Sequence, residues 1–140
     1  MTFQLHPRLQ QDCIVVGNFA LCRLLMMNDS QYPWFILVPQ KSEITEIYQL
    51  EISDRQLLIE ESSHLAEILV DVYKPDKLNI ATIGNLVPQL HIHHVVRYQN
   101  DKAWPKPVWG KYAAVQYTEK QIYENLTALN ERLMGYLSVC

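Results

Sequence analysis

The chain has 140 residues, 49% of them hydrophobic and 19% charged, with 12 Lys plus Arg against 15 Asp plus Glu. That length suits one domain around one core. The net charge of −3, with its basic residues scattered, offers no positive stripe for a nucleic-acid groove. The longest apolar runs, such as WFILV at 34–38, are far too short to span a bilayer. Arg8, Gln10, Gln11 and Asp12 occupy a stretch where a secretory leader needs apolar residues. The chain therefore reads as one cytoplasmic domain over 1–140, without a nucleic-acid or membrane partner.

In chain order, the apolar runs ALCRLLMM (20–27) and WFILVPQ (34–40) flank NDSQYP, a separator rich in turn formers, and are expected to form a hairpin. A helix is expected from Ser53, which with Gln56 three residues on has the spacing of a capping box. Its buried stripe is Leu58, Ser62, Leu65, Leu69 and Val72, and Pro75 lies beyond its end. KLNIATI (77–83) and QLHIHHVVRY (89–98) are strand-like and read as antiparallel neighbours. YAAVQY (112–117) is a short strand or an extended lead-in. Thr118 and Gln121 repeat the capping-box spacing before a second helix over about 118–137, with Ile122, Leu126, Leu129, Leu133 and Leu137 as its stripe. The order implies an α+β domain: an antiparallel sheet of about five strands with two main helices packed on one face. Cys13, Cys22 and Cys140 are odd in number and lack CxxC spacing. They read as two small buried hydrophobes and a thiol near the end.

Three of the five histidines fall at 91, 93 and 94. Side chains on a strand alternate faces. Gln89, His91, His93, Val95 and Arg97 therefore share one face, and Leu90, Ile92, His94, Val96 and Tyr98 the other. His94 lies on the apolar face and reads as a core-edge histidine with a hydrogen-bonded ring. His6 reads as a turn residue, His64 as a surface helix residue and Arg97 as a solvated surface arginine. The pair His91 and His93 suits metal chelation, acid–base chemistry, or a nucleophile beside a leaving-group contact. A metal site would need Asp29, Asp76 or His64 brought in from elsewhere.

QLHIHHV, with the preceding LNIATIGNLVP, resembles the histidine-triad (HIT) family, whose signature is His-φ-His-φ-His-φ-φ with φ apolar. Gln89, His91 and His93 take the triad positions, and Leu90, Ile92, His94 and Val95 the places between and after them. LLMMNDSQYPWFILVP resembles the family's nucleoside-binding hairpin, and the resemblance spans about 2–110, with the core motifs in 20–110. It implies a HIT-like fold and a homodimer. It also implies a purine nucleotide or nucleotide conjugate as ligand, with Asn28 and Asp29 at the ribose and Asn79 and Asn85 at phosphate. By the same resemblance His91 is the nucleophile, His93 contacts the phosphate or leaving group, and neither metal nor cofactor is required. The implied reaction is hydrolysis or nucleotidyl transfer at the α-phosphate of a nucleoside phosphoramidate, an adenylate conjugate or a dinucleoside polyphosphate, through a nucleotidyl-histidine. DKAWPKPVWG (101–110) resembles a bacterial subgroup of the family; its tryptophans, Trp104 and Trp109, pack on the sheet or approach a partner's site. Two departures stand out: Gln89 in place of the first histidine, and His94 after the third. Gln89 can hold a ring or a phosphate oxygen but cannot carry a proton. Two other readings stay open, a nucleotide binder with weak or no catalysis because of Gln89 and a small HxH metalloprotein.

Overall fold

The structure, a computed structural model, describes residues 2–137; the Cys140 expectation lies outside them. The strands are β1 (Cys13–Asn18), β2 (Cys22–Met27), β3 (Trp34–Pro39), β4 (Lys77–Ala81) and β5 (Ile92–Arg97). The helices are α1 (Pro7–Asp12), α2 (Ile52–Tyr73) and α3 (Glu119–Leu133). The strands form one open antiparallel sheet in the order β1-β2-β3-β5-β4. Among the described residues no helix is long and apolar enough to cross a membrane.

The expected hairpin is β2–β3, with Arg23 opposite Val38 and Met26 opposite Phe35. Leu24, Met26, Phe35 and Leu37 pack with Leu58, Leu65 and Leu69 of α2 and Leu129 and Leu133 of α3. Leu25, Trp34, Ile36 and Val38 belong to a second cluster with Leu9, Val87, Ala103 and Val108. Both faces of these central strands are buried, which is why their sequences are continuous apolar runs rather than alternating ones. The main helices cover one face. The other is covered by α1 and the 101–110 loop.

Of the two expectations for residues 112–117, the lead-in to the last helix holds and the short strand does not. Residues 112–117 are extended but unpaired as a strand, and β1 takes the edge position instead. β1 carries Gly17 and a register shift between Val15 and Gly17, so its pattern lacks the alternation that reveals a strand. The 112–117 segment is held by the hairpin turn: Ser30 N–H donates to the Val115 carbonyl, and Tyr117 N–H donates to Asn28 Oδ1.

The capping box expected at Thr118 and Gln121 forms, with both reciprocal bonds present. The helix it opens ends at Leu133, and Leu137 packs on the same core from beyond that end. The box expected at Ser53 does not form. Helix α2 starts at Ile52 with Glu51 at its N-cap position and no side-chain cap. Leu50 is buried, and Arg55 donates back to the carbonyls of Leu50 and Tyr48, so the preceding turn runs straight into the helix. Helix α2 also buries Glu61, whose carboxylate oxygens accept from the Leu21 and Cys22 amides at 2.8 and 2.9 Å, pinning the start of β2. Burial and the neighbouring Asp12 push the Cys13 thiol up to about 12, and burial raises Cys22 as well. Both stay protonated; Cys22 is buried as expected, whereas Cys13 is half-buried.

Arg97 is a correction to the sequence reading. It is not a solvated surface residue but 1% exposed. Its guanidinium bonds Asp101 through Nε (2.8 Å) and Nη2 (3.1 Å), and it donates to Asn79 Oδ1 and the Lys106 carbonyl. The rings of Tyr32 and Trp104 flank it. A cation four residues beyond His93 is thus the anchor that folds the 101–110 loop onto the sheet. His64 also differs from expectation: it is half-buried, its ring centroid 4.2 Å from that of Tyr136, rather than a free surface residue.

Candidate functional site

β5 divides the histidines as strand alternation requires. His94 points toward α2 and is fully buried; its Nε2 lies 2.7 Å from Ser62 Oγ and its Nδ1 3.1 Å from the Ile92 carbonyl. His91, just before β5, and His93, its second residue, sit on the opposite face with ring centroids 4.8 Å apart. They line a cavity of about 430 Å³ together with Arg8, Leu9, Asp12, Met27, the 83–87 loop, Trp109 and Gly110. A larger concavity of about 670 Å³ runs along the outer side of α2 near Lys74, away from every histidine of the triad strand.

The hydrogen bonds fix which ring nitrogen carries the proton. His91 Nδ1 is 2.6 Å from the Gln89 carbonyl oxygen. A carbonyl only accepts, so Nδ1 donates and Nε2 is left with its lone pair. His93 is the reverse. The Trp34 indole N–H donates to His93 Nδ1 at 3.0 Å. An indole only donates, so His93 Nδ1 is the acceptor and Nε2 carries the hydrogen. Two imidazoles in contact therefore present one lone pair and one N–H.

Burial holds all three rings toward the neutral form. It lowers the His91 pKa below 6.5, partly offset by the Gln89 carbonyl and reinforced by His6. Burial, then the neighbouring His91 and His94, pushes His93 down to about 3. Burial lowers His94 to about 4, against the favourable Ile92 carbonyl. A neutral pair suits attack on phosphorus and hydrogen bonding to its oxygens. Among the described residues, no group of three or more His, Cys, Asp or Glu is placed to hold a metal ion.

A family model for the HIT domain matches residues 8–100. The chain belongs to the histidine-triad family. It is 48% identical to a histidine triad protein from Marinobacter aquaeolei VT8, covering 97% of this chain and 99% of that one with a TM-score of 0.94. Histidine triad proteins from Bradyrhizobium japonicum and Sinorhizobium meliloti 1021 are each 38% identical, over 94% of this chain and 98% of theirs, with TM-scores of 0.92. No curated protein matches the chain.

In this histidine-triad protein Gln89, which the sequence reading aligned with the first triad histidine, stands apart from His91 and His93. Gln89 was expected in one row with His91 and His93, free to hold a ring or a phosphate oxygen. Its amide instead faces the N-terminal segment: Oε1 accepts from the His6 amide at 2.9 Å and Nε2 donates to the Gln4 carbonyl at 2.8 Å. Gln89 does not line the cavity of the histidine pair. Residues 89 to 91 precede β5, so strand alternation does not reach Gln89. Its side chain clips down the segment leading into α1, whose Arg8, Leu9 and Asp12 wall the cavity. His6 caps that helix, its Nδ1 accepting from the Arg8 amide, in keeping with the turn role read from sequence.

The other site residues of the family resemblance separate. Asn85 lines the cavity, on the loop that turns at Gly84 with φ +76°. Asn79, on β4, accepts from Arg97 and lies outside the cavity. Asn28 and Asp29 sit just past Met27, which does line it. Asp29 is buried, and its Oδ1 accepts from the amide N–H groups of Gln31 and Val115 and from the Gln31 side chain. Trp104 packs on Arg97, whereas Trp109 walls the site, its ring centroid 5.3 Å from His93 and 5.9 Å from Trp34. Sequence reasoning missed Trp34, Arg8 and Leu9. The signal for Trp34 was present: two residues before Ile36, the cross-strand partner of His93, it shares the face of the pair.

Proposed function

We propose that this protein is a nucleotide hydrolase or nucleotidyl transferase that works through a covalent nucleotidyl-histidine on His91. The observation that carries the reading is the opposed pair of tautomers. His91 Nε2 attacks the α-phosphorus in line, forming the N–P bond as the bond to the leaving group breaks. The positive charge this puts on the imidazole is stabilised by the Gln89 carbonyl at 2.6 Å from Nδ1. His93 Nε2–H donates to a phosphoryl oxygen or to the departing atom. Water then attacks phosphorus, and the N–P electron pair returns to His91.

The substrate is a nucleoside phosphoramidate, an adenylate conjugate or a dinucleoside polyphosphate, with a purine nucleotide as the bound portion and a homodimer as the working assembly. Asn85 and the 83–87 loop take the phosphate end. The ribose lies toward the turn of Asn28 and Asp29; ribose contact there draws on the acceptor sites left beside their bonds to the 115–117 segment. Asn79 contributes through Arg97 and the loop it anchors. A nucleotide binder silenced by Gln89 is the weaker reading, because the Gln89 side chain is committed to the N-terminal segment and no chemistry is routed through it.

Rapid acid-free quench of the protein with an adenylate substrate labelled at the α-phosphate tests this. Acid-labile label approaching one per site, mapping to His91, is the expected result. Nucleotide that binds without labelling or turnover would mean a binding protein.

A further inference from the structure

We propose that Trp34 restricts this enzyme to substrates whose leaving group departs as a stable anion, a carboxylate or a phosphate, and selects against amines. This rests on the nucleotidyl-histidine reading above and narrows its substrate class. An amine leaving nitrogen must be protonated as the P–N bond to it breaks; an acyl or phosphoryl oxygen need not be.

The group placed to supply that proton is His93, and the geometry denies it the role. To act as an acid without leaving an imidazolate, His93 must first be a cation, with hydrogens on both ring nitrogens. Its Nδ1 already accepts the Trp34 indole N–H at 3.0 Å. A second hydrogen there would face that N–H head-on, and the indole has no acceptor to offer. Trp34 is 7% exposed and packs edge-on against Trp109 at 5.9 Å, so it has little room to swing aside. Trp109 also closes on His93 at 5.3 Å. The low His93 pKa, set by burial and by His91 and His94, agrees with this geometry.

Among the described residues nothing else on the wall replaces it. The charged or titratable groups that face His93 across the cavity are His91, Arg8 and Asp12. His91 is the nucleophile and holds its one hydrogen on the Gln89 carbonyl. A guanidinium is no proton source for a leaving group, and the Arg8 guanidinium pairs with Asp12 at 3.1 Å. His94 lies behind the sheet on Ser62. An amine therefore departs only as fast as solvent protonates it.

With an acyl-adenylate the step balances without a proton donor. The His91 Nε2 lone pair forms the N–P bond, and the P–O pair leaves with the carboxylate. The neutral His93 N–H contributes a hydrogen bond that strengthens as negative charge gathers on that oxygen. In this account Trp34 is a positioning residue: it acts through the tautomer of His93.

The test compares first-turnover rates for an acyl-adenylate, a dinucleoside polyphosphate and an adenosine 5′-phosphoramidate of an alkylamine, in the wild type and in Trp34→Phe and Trp34→Gln. Imidazole ¹⁵N spectra report the His93 tautomer in each. In the wild type the anionic leaving groups are expected to win by about 10³-fold or more, a proton-transfer contribution of the size seen for general acids. His93 is expected as the neutral Nε2–H form. Trp34→Phe removes the indole donor while keeping an aromatic ring. Trp34→Gln provides a carbonyl that accepts from Nδ1. Both are expected to shrink the preference at least tenfold, Gln more than Phe, and to change the His93 spectrum. Equal wild-type rates for amine and anion would overturn the proposal while leaving the nucleotidyl-histidine reading intact. So would an unchanged preference in a folded variant whose His93 tautomer has shifted. Absence of label from every substrate would sink the nucleotidyl-histidine reading itself, and this proposal with it.

Discussion

Replacing His91 with alanine is expected to lower turnover by on the order of 10⁴-fold or more, as removal of a nucleophile does in enzymes with covalent intermediates. Nucleotide affinity should change far less. The fold should survive, because the ring lies just ahead of β5 and its hydrogen bond is a local one to the Gln89 carbonyl. Equilibrium binding and first-turnover kinetics on the same preparation separate these effects. The pH profile follows from the same residue. His91 must be neutral to attack, so activity falls as pH drops through its pKa in the free enzyme. Burial, the largest influence, places that pKa below 6.5. The acid limb should therefore have its midpoint below pH 6.5. Half-maximal activity at pH 6.5 would mean that His91 is solvated as an ordinary histidine.

Arg97→Ala is expected to be the most damaging change to stability away from the hydrophobic core. It removes the counter-ion of the buried Asp101 carboxylate, leaving it only the amide donors of Tyr98, Ala103 and Trp104, and takes donors from Asn79 Oδ1 and the Lys106 carbonyl. Breaking a buried pair by removing one partner costs roughly 3–5 kcal/mol. A solvated surface arginine would cost within about 0.5 kcal/mol. Urea denaturation distinguishes the two. The same substitution should reduce activity in the protein that remains folded, because the 101–110 loop carries Trp109 to the cavity. Arg97 and Asp101 should be non-additive: Arg97→Ala costs less in an Asp101→Ala background, where no carboxylate is left without its counter-ion.

What the sequence revealed, and what it hid, follows from where each determinant lies. Strand alternation separated His94 from His91 and His93 because all three lie at or next to the start of β5, where period two holds. It failed for Gln89, whose side chain answers to residues 4 and 6, far away in the chain. Arg97 falls on the site face by alternation, as expected. Its burial was invisible because it depends on Asp101 folding back and on a proline-rich loop arching over it. The Thr118 capping box formed with both of its reciprocal bonds. The same spacing at Ser53 lost to Leu50 and Arg55, which start the helix earlier. β1 escaped notice because a glycine and a register shift erase its pattern, and residues 112–117 looked strand-like because they are extended, although their partners are the Ser30 amide and the side chains of a turn. The pairing that governs the site, Trp34 with His93, joins residues 59 positions apart. It became legible only once β3 and β5 were seen to be neighbours.

The central claim is two successive displacements at phosphorus, with His91 as the intermediate carrier. The stereochemical course tests it most directly, using an adenylate substrate made chiral at the α-phosphorus with sulfur and an oxygen isotope. Each in-line displacement inverts the centre, so the account requires net retention in the released nucleotide. Net inversion would contradict it, because a single direct attack by water leaves no place for a nucleotidyl-histidine.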